Sequence, residues 1–132
     1  MESHGFEISP EWIIQSDFSE KGGYKSVKQW LEKVKELPTA IFACNDSVAF
    51  GALAALKEAN LSVPDHISLI GFDDHMLSSR IQPALTSIHV DFAEMVRTLI
   101  SSLIETIEAE HKVFKKYIGT TELIIRDSCR PV

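Results

Sequence analysis

Residues 37–74, LPTAIFACNDSVAFGALAALKEANLSVPDHISLIGFDD, carry the pattern that decides the fold, namely strand, helix, strand and turn. Residues 39–44 are almost wholly apolar and lie between turn-forming residues, which is typical of a strand buried on both faces of a parallel sheet. The Ala-rich stretch that follows predicts a helix, with Asp46 as its N-cap and Asn60 at its C-terminal end. Residues 67–72 predict a second buried strand, which stops at two aspartates.

This strand-helix-strand unit brings two polar clusters to one edge of the sheet. Its strands are predicted to be parallel, so that their carboxyl ends lie side by side. Asn45 and Asp46 follow the first strand, and Asp73 and Asp74 follow the second. Because ligands bind outside the carboxyl ends of the strands in open α/β sheets, we predict a ligand-binding edge here.

The rest of the chain predicts further elements around this unit. Residues 1–10 are irregular, and Asp91 is a predicted N-cap. Apolar patterns predict strands over 11–16, 84–90 and 116–126, and helices over 20–37 and 92–109. The first of these strands would place the 17–19 loop at the same edge. The order of strands and helices predicts the α/β class, with a parallel sheet in a layered sandwich.

Composition excludes several classes of protein and site. The chain has 132 residues, a net charge of −6 and a pI near 5.3, whereas contact with a phosphate backbone needs a basic surface. Its two cysteines form neither a disulfide framework nor a metal motif, and we expect no metal and no cofactor. The start of the sequence lacks the pattern of a signal peptide and no apolar run reaches the length of a membrane helix, which predicts a cytoplasmic location away from the membrane.

Asp73 and Asp74 have three interpretations. With His75 they could bind a metal or act as acid and base, one carboxylate could bind a ligand while the other braces the turn, or both could serve the turn alone. Adjacent carboxylates at a strand end usually point apart, which favours the second interpretation. The sequence has no G-x-S-x-G nucleophile motif and no phosphate-binding glycine loop, and we therefore predict that the chain is not an enzyme.

Two aromatic residues near the predicted edge have two interpretations each. Phe18, in a polar loop, offers a ring face that can stack on a flat or sugar-like ligand, unless the ring folds back onto the core. Phe92 lies one residue inside the last helix, where it is either a ligand contact or the first core residue of that helix.

Five runs of the sequence stand in a specific order and spacing. They are DFSEKGGY at 17–24, PTAIFACND at 38–46, AFGAL at 49–53, VPDHISLIGFDD at 63–74 and PALTSI at 83–88. Together, over residues 10–126, they resemble the effector-binding core of the lactose/galactose-repressor family of bacterial transcription regulators. The resemblance implies one lobe of a two-lobed, periplasmic-binding-protein-like fold with a ligand cleft between the lobes.

The resemblance also implies roles for particular residues. Phe18, Asn45 and Asp73 match positions that contact a small-molecule effector, and Phe92 matches a position at the bottom of the cleft. The helix near 46 and the connection over 76–81 match surfaces through which family members dimerise. The dimer residues implied in this way are Val48, Ala49, Ala52, Leu53, Leu56, Met76 and Ile81.

The sequence departs from the family pattern on its N-terminal side. It contains no helix-turn-helix, hinge or first lobe, so residues 11–132 are interpreted as a partial effector-binding and dimerisation lobe of a truncated protein. In family members the helix that matches 92–109 packs on that first lobe. Large apolar residues along this helix need cover, and we expect it to fold onto the remaining lobe or to be covered by another chain, including by exchange of elements.

The resulting hypothesis is an effector-binding and dimerisation part of a sugar-responsive DNA-binding transcription regulator. Its expected partners are a small-molecule effector, such as a sugar, and a second copy in a homodimer or an element-exchanged oligomer. Operator DNA would be reached only through a separate N-terminal domain. The alternative is part of a sugar-binding transport protein of the periplasmic type. Sequence upstream of Met1 distinguishes them, since a helix-turn-helix supports the first and a secretion signal the second.

Overall fold

The computed structural model describes residues 9–109 and 115–131, and the described chain forms four strands, three α-helices and a short 3-10 helix. In chain order these are the 3-10 helix Pro10–Trp12, α1 (Glu20–Leu31), β1 (Ala40–Phe42), α2 (Asp46–Glu58), β2 (Ser68–Asp73), β3 (Thr86–Val90), α3 (Phe92–Glu108) and β4 (Thr121–Ile124). The predicted strand-helix-strand unit is present as β1, α2 and β2. The irregular segment predicted over 1–10 lies largely outside the described residues.

The strands form one sheet in the order β1-β2-β3-β4. Both β1 and β3 run parallel to β2, with Phe42 opposite Ile70 and Asp73 opposite His89, whereas β4 runs antiparallel to β3. The predicted α/β class with a mainly parallel sheet is therefore confirmed. The ends of β1, β2 and β3 share one edge of the sheet, which we name the carboxyl edge.

The core lies between the sheet and the helix pair α1 and α2. Leu56 of α2, Ile67 before β2 and Leu85 before β3 are fully buried. The two helix backbones approach closely, because a Cβ atom at Gly51 would lie only 2.0 Å from the carbonyl oxygen of Glu20. The Ala- and Gly-rich composition of α2 is thus a requirement of its packing against α1.

The strand predicted over residues 11–16 is wrong. Pro10–Trp12 form a 3-10 helix, and Ile13 is extended but 69% exposed and pairs with no strand of the described chain. A strand is stable only where a neighbour satisfies its backbone groups. Here the carbonyl of Glu11 instead accepts a hydrogen bond from the ring nitrogen of Trp30 at 2.8 Å, which ties the segment to α1.

β1 is shorter and more exposed than the sequence predicts. Ala40 and Phe42 are exposed and Ile41 is half-buried. In β2, by contrast, Leu69 and Gly71 are buried beneath α2. The prediction of strands buried on both faces is therefore wrong for β1, because the described chain leaves the face that carries Phe42 open to solvent.

The predicted start of α3 and the predicted end of α2 agree with the structure, but the predicted end of α1 does not. Asp91 caps α3 by accepting from the amide of Glu94 at 2.9 Å, and Asn60 takes up the left-handed conformation after α2, with φ of 58°. The helix predicted over 20–37 ends at Leu31 instead. The amides of Lys33 and Val34 both donate to the carbonyl of Trp30, and the regular helix ends at this turn.

The last helix, α3, is amphipathic and has no buried residue. Its eight large apolar side chains are between 42% and 74% exposed, and we name them the α3 stripe: Phe92, Met95, Val96, Leu99, Ile100, Leu103, Ile104 and Ile107. The expectation that this helix folds back onto the same lobe is wrong. Only one residue, Asp91, separates β3 from α3, and no residue of the helix that follows is buried. Cover by another chain stays a prediction.

Candidate ligand-binding edge

Asn45 follows β1, and Asp73 is the last residue of the adjacent parallel strand β2. β1 and β2 pair with Phe42 opposite Ile70, and the amide of Ala43 donates to the carbonyl of Ile70 at 2.8 Å. Asn45 and Asp73 each follow this pair by three residues. The structure therefore brings the two predicted polar clusters together at the carboxyl edge.

Asn45, rather than Asp46, is the N-cap of α2. Its Oδ1 accepts from the amide of Val48 at 2.8 Å, and its Nδ2 donates to the carbonyl oxygen of Phe18 at 3.2 Å. The prediction of Asp46 as the cap is wrong, because the Asp46 carboxylate turns into the core. The bond from Asn45 also explains how Phe18 reaches the carboxyl edge although no strand precedes it.

The ring of Phe18 is 76% exposed, so it does not fold back onto the core. Its loop is braced by Asp17, whose Oδ1 accepts from the amide of Ser19 at 2.9 Å and from the Ser19 hydroxyl. These hydrogen bonds lower the pKa of the Asp17 carboxyl. An aromatic ring presented on a braced loop can stack on a flat or sugar-like ligand with little loss of conformational entropy.

A shallow, open depression of about 420 Å³ lies beside this loop and is lined by residues that include Gln15, Asp17, Lys25 and Gln29. It includes neither Asn45 nor Asp73. Small-molecule sites are usually concave and mostly apolar, with a few convergent polar groups. This polar depression therefore does not fit that description and does not coincide with the strand ends.

Asp73 ends β2 with φ of 100°, in the left-handed region. The side chain of Asp73 is half-buried. Hydrogen bonds from the described chain make no contribution to the pKa of its carboxylate. Burial, and then the negative charge of Asp46, raise the pKa of Asp73, while His75 acts in the opposite direction. A partly desolvated carboxylate without a donor is suited to accept hydrogen bonds from the hydroxyl groups of a ligand.

Asp74, in contrast, is used by the fold. Its Oδ1 accepts from Nη2 of Arg126 at 2.6 Å, its Oδ2 lies 3.1 Å from Nδ1 of His89, and its amide donates to the hydroxyl oxygen of Ser87 at 3.1 Å. These contacts tie the end of β2 to β3 and to the segment after β4. Of the three interpretations of the aspartate pair, the geometry favours one ligand-facing and one structural carboxylate.

His75 takes part in the turn that follows β2. Its ring lies edge-on to Phe50, with ring centroids 6.0 Å apart, and its Nδ1 accepts from the amide of Leu77 at 3.2 Å. Among residues 9–109 and 115–131, no three side chains of the metal-binding types cluster closely enough to hold an ion.

Asp46 has a role that the sequence analysis missed. Its carboxylate is 1% exposed and accepts from the amide of His75 at 2.7 Å and from the hydroxyls of Ser78 at 2.5 Å and Ser87 at 2.6 Å. A Cβ atom at Gly71 would lie 2.1 Å from the Asp46 Oδ1, so only glycine leaves room for this carboxylate. The glycine inside the second predicted strand was the available signal, since such a glycine marks a close approach.

Most of the α2 residues implied in dimerisation are buried within the chain. Ala49 and Leu56 are 0% exposed, Ala52 is 1% exposed and Val48 is 8% exposed, while Leu53 is half-buried against the core. The four of these side chains that are at most 8% exposed have too little free surface to contact a second subunit in this conformation. The small residues of α2 pack against α1, a use that composition alone does not separate from a subunit contact.

The other implied contact residues keep more free surface. Met76 is 70% exposed and Leu77 is 44% exposed, whereas Ile81 is half-buried and packs against the core. Phe92 is 47% exposed, so within the described chain it is not the first core residue of α3.

A family model described as a periplasmic binding protein-like domain matches residues 1–129. The chain is 37% identical over 135 residues to the HTH-type transcriptional repressor PurR of Haemophilus influenzae, a match that spans all of this chain and 40% of that repressor. The chain thus spans less than half the length of the curated relatives it matches. Within the described residues, every helix is too short or too polar to cross a bilayer.

Solved structures of the same family share the fold. A sugar-binding transcriptional regulator of the LacI family from Escherichia coli, complexed with phosphate, is 31% identical, with a TM-score of 0.83 over 96% of this chain and 45% of that one. A LacI-family regulator from Enterococcus faecium with bound ribose is 30% identical, with a TM-score of 0.77 over 90% of this chain and 43% of that one. The chain therefore belongs to the periplasmic binding protein-like domain family, within the effector-binding cores of LacI-family transcription regulators.

Proposed function

We propose that this chain binds a small-molecule effector at its carboxyl edge and dimerises, as part of a bacterial DNA-binding transcription regulator, without catalysing a reaction. The proposal depends most on the carboxylate of Asp73, at the end of the inner strand β2. This carboxylate is half-buried, and no hydrogen bond from the described chain contributes to its pKa. Asp74 beside it is paired with Arg126, so the two carboxylates differ in what they can offer a ligand.

The chemistry of this edge fits a ligand that carries hydroxyl groups. A charged carboxylate can accept hydrogen bonds from two neighbouring hydroxyls, and such bonds recover the solvation that the burial of Asp73 removes. The exposed ring of Phe18 supplies an apolar face on the adjacent loop. Sugars combine hydroxyl pairs with apolar C–H faces, which supports a sugar or a related molecule as the effector.

Regulation would follow from a difference in effector affinity between two conformations of the intact regulator. This chain carries a net charge of −6, which argues against direct contact with DNA. We propose that DNA is contacted by a helix-turn-helix domain, as the names of the relatives indicate for those proteins, and that the regulator acts in the cytoplasm. The names of these relatives favour a regulator over a transport protein.

Thermal-shift screening of the purified protein against sugars and nucleobases tests effector binding. A ligand at about 100 times its dissociation constant stabilises the folded state by about 2.7 kcal/mol. We expect at least one sugar to raise the Tm, and we expect Asp73→Ala to abolish that rise. Asp127→Asn, at an exposed carboxylate after β4, is the matched control and should respond as the parent protein does. An equal response in Asp73→Ala contradicts the proposal.

Dimerisation is supported by the apolar surface that the described chain leaves open. The α3 stripe and the exposed side chains of Met76 and Leu77 form apolar surface of the kind that subunit interfaces cover. We propose that a second copy of the chain covers the α3 stripe, either as a homodimer or by exchange of elements. Light scattering during size-exclusion chromatography measures the mass directly, and a monomer with a soluble, exposed α3 contradicts this part of the proposal.

A further inference from the structure

The Asp46 carboxylate connects three separate segments below the carboxyl edge. One oxygen accepts from the amide of His75 and the hydroxyl of Ser78, both in the segment that follows β2, and the other accepts from the hydroxyl of Ser87 in β3. Asp46 itself belongs to the first turn of α2. A buried carboxylate with three donors is strongly held, because each of these hydrogen bonds involves a charged acceptor.

The same carboxylate contacts the chain on both sides of Asp73: it accepts from the amide of His75, two residues after Asp73, and a Cβ atom at Gly71, two residues before Asp73, would lie 2.1 Å from its Oδ1. Burial and then the charge of Asp46 raise the pKa of Asp73. The other titratable groups around the edge are His75, whose effect on Asp73 is opposite, and His89, which pairs in register with Asp73. Asp74 lies next in the chain but is engaged by Arg126 and His89.

The segment that Asp46 holds also presents apolar surface. Residues 75–81 run from His75, at the end of the edge, to Ile81 in the core, and Met76 and Leu77 between them are exposed. Ser78 is fully buried at the centre of this segment, where its hydroxyl donates to Asp46 and its carbonyl accepts from the amide of Leu85 at 2.7 Å. The carboxylate of Asp46 thus contacts both the turn that follows Asp73, through His75, and the buried centre of the exposed apolar segment, through Ser78.

We propose that Asp46 is a positioning residue that couples the carboxyl edge to the 75–81 segment, so that a change of charge at Asp73 alters how firmly this segment is held. The proposal rests on the proposed function for the role of Asp73, yet the link between the two regions is measurable without any effector. With Asp73 neutral, the repulsion that its charge exerts on Asp46 is removed. Local opening of the segment, which would expose Asp46 to water, then no longer relieves this repulsion, so the contacts of Asp46 with the amide of His75 and the hydroxyl of Ser78 open less often.

Amide hydrogen exchange of the 75–81 segment tests the anchoring part. Ser78→Ala deletes one hydrogen bond to a charged acceptor and should speed exchange at the amide of His75 about tenfold or more. Ser79→Ala is the matched control, since the neighbouring hydroxyl is exposed and only approaches the carbonyl of Met76 at 3.3 Å. Equal exchange rates in the two variants overturn the anchoring role.

Side-chain carboxyl NMR titration tests the electrostatic part. Asp46→Asn is close in shape, and its amide can accept from His75 and Ser78 through oxygen while donating to Ser87 through nitrogen. It removes the charge, so the pKa of Asp73 should fall relative to the parent protein. An unchanged pKa of Asp73 in folded Asp46→Asn contradicts the proposal.

A double-mutant cycle tests the coupling itself. We expect Asp73→Asn to slow exchange at the His75 amide in the parent protein and to leave the rate unchanged in the Asp46→Asn background. An identical effect in both backgrounds, or none in either, overturns the coupling. If Asp46→Asn does not fold, the cycle is run with Ser78→Ala, where a reduced response to Asp73→Asn is expected and a full response contradicts the proposal. Absence of effector binding with an intact cycle would reject only the proposed function.

Discussion

The helices α2 and α3 are both rich in apolar residues, but the chain uses them in opposite ways. In α2 the apolar and small side chains are buried against α1 and the sheet, including Leu56 at 0% exposure. In α3 no residue is buried, and the α3 stripe is open along the whole helix. The amphipathic pattern is in fact clearer in α3. The difference shows that such a pattern identifies a surface that requires a partner, whereas the position of the neighbouring elements decides what that partner is.

Truncating one large side chain on each helix tests most directly whether α2 belongs to the core and α3 to the surface. Leu56→Ala should destabilise the protein by about 2–5 kcal/mol, because it leaves a cavity in a fully packed core. Chemical denaturation with matched m-values measures this cost. A cost below about 1 kcal/mol would contradict the assignment of α2 to the core, since core truncations of leucine rarely cost so little.

The close approach of α1 and α2 can be tested with a single methyl group. In Gly51→Ala the added Cβ would meet the carbonyl oxygen of Glu20 at 2.0 Å, so we expect a loss of about 1–3 kcal/mol through overpacking. This is opposite to the gain of about 1 kcal/mol that alanine gives over glycine in an open helix. Gly119→Ala is the control, because a Cβ atom there meets nothing within 4 Å. Equal stabilities of the two variants contradict the tight helix pair.

Truncation on α3 should have a much smaller effect on folding. Leu99 is 53% exposed, and Leu99→Ala should change the free energy of unfolding of the monomer by less than about 0.5 kcal/mol. If a second copy covers the α3 stripe, the same substitution should weaken association in sedimentation equilibrium. A destabilisation equal to that of Leu56→Ala at a concentration where the protein is monomeric would show that α3 is packed within its own chain.

The smallest effect is expected in the dependence of stability on pH. The pKa of Asp73 is raised above its ordinary value of 3.8, so between pH 3.8 and the raised value the folded state binds more protons than the unfolded state. The contribution of Asp73 to stability should therefore fall as the pH rises through that window. Asp73→Asn should remove this slope and slightly raise the Tm at neutral pH. A lower Tm for Asp73→Asn at neutral pH would contradict the account.

The carboxyl edge shows how far the sequence predicts the site. The pattern of 37–74 predicts two parallel strands with polar residues at their ends, and the parallel pairing of β1 and β2 places the segments that contain Asn45 and Asp73 at the same edge, as expected. The different surroundings of the Asp73 and Asp74 side chains also follow from their adjacency. The partner of Asp74 does not follow, because Arg126 lies 52 residues away in the chain and only the antiparallel strand β4 brings it there.

The predicted elements that differ from the structure are those whose stability depends on a neighbouring element. Residues 11–16 have the composition of a strand but find no strand to pair with in the described chain. Residues 39–44 have the composition of a buried strand, yet β1 stands at the edge of the sheet with one face open. In both cases local preference is weaker than the requirement for a partner that satisfies backbone groups or covers side chains.

The sequence by itself determined the α/β class, the strand-helix-strand unit and the residues that meet at the ends of its strands, because hydrophobic periodicity and capping signals act over a few residues. Only the tertiary structure decided which of the polar and apolar groups at those positions are buried and which partners they have. Asp46 looks like a helix cap in the sequence, and it becomes a buried acceptor because Gly71, Ser78 and Ser87 surround it. The residues of α2 are core and those of α3 are surface because α1 lies over the first and the described chain places nothing over the second.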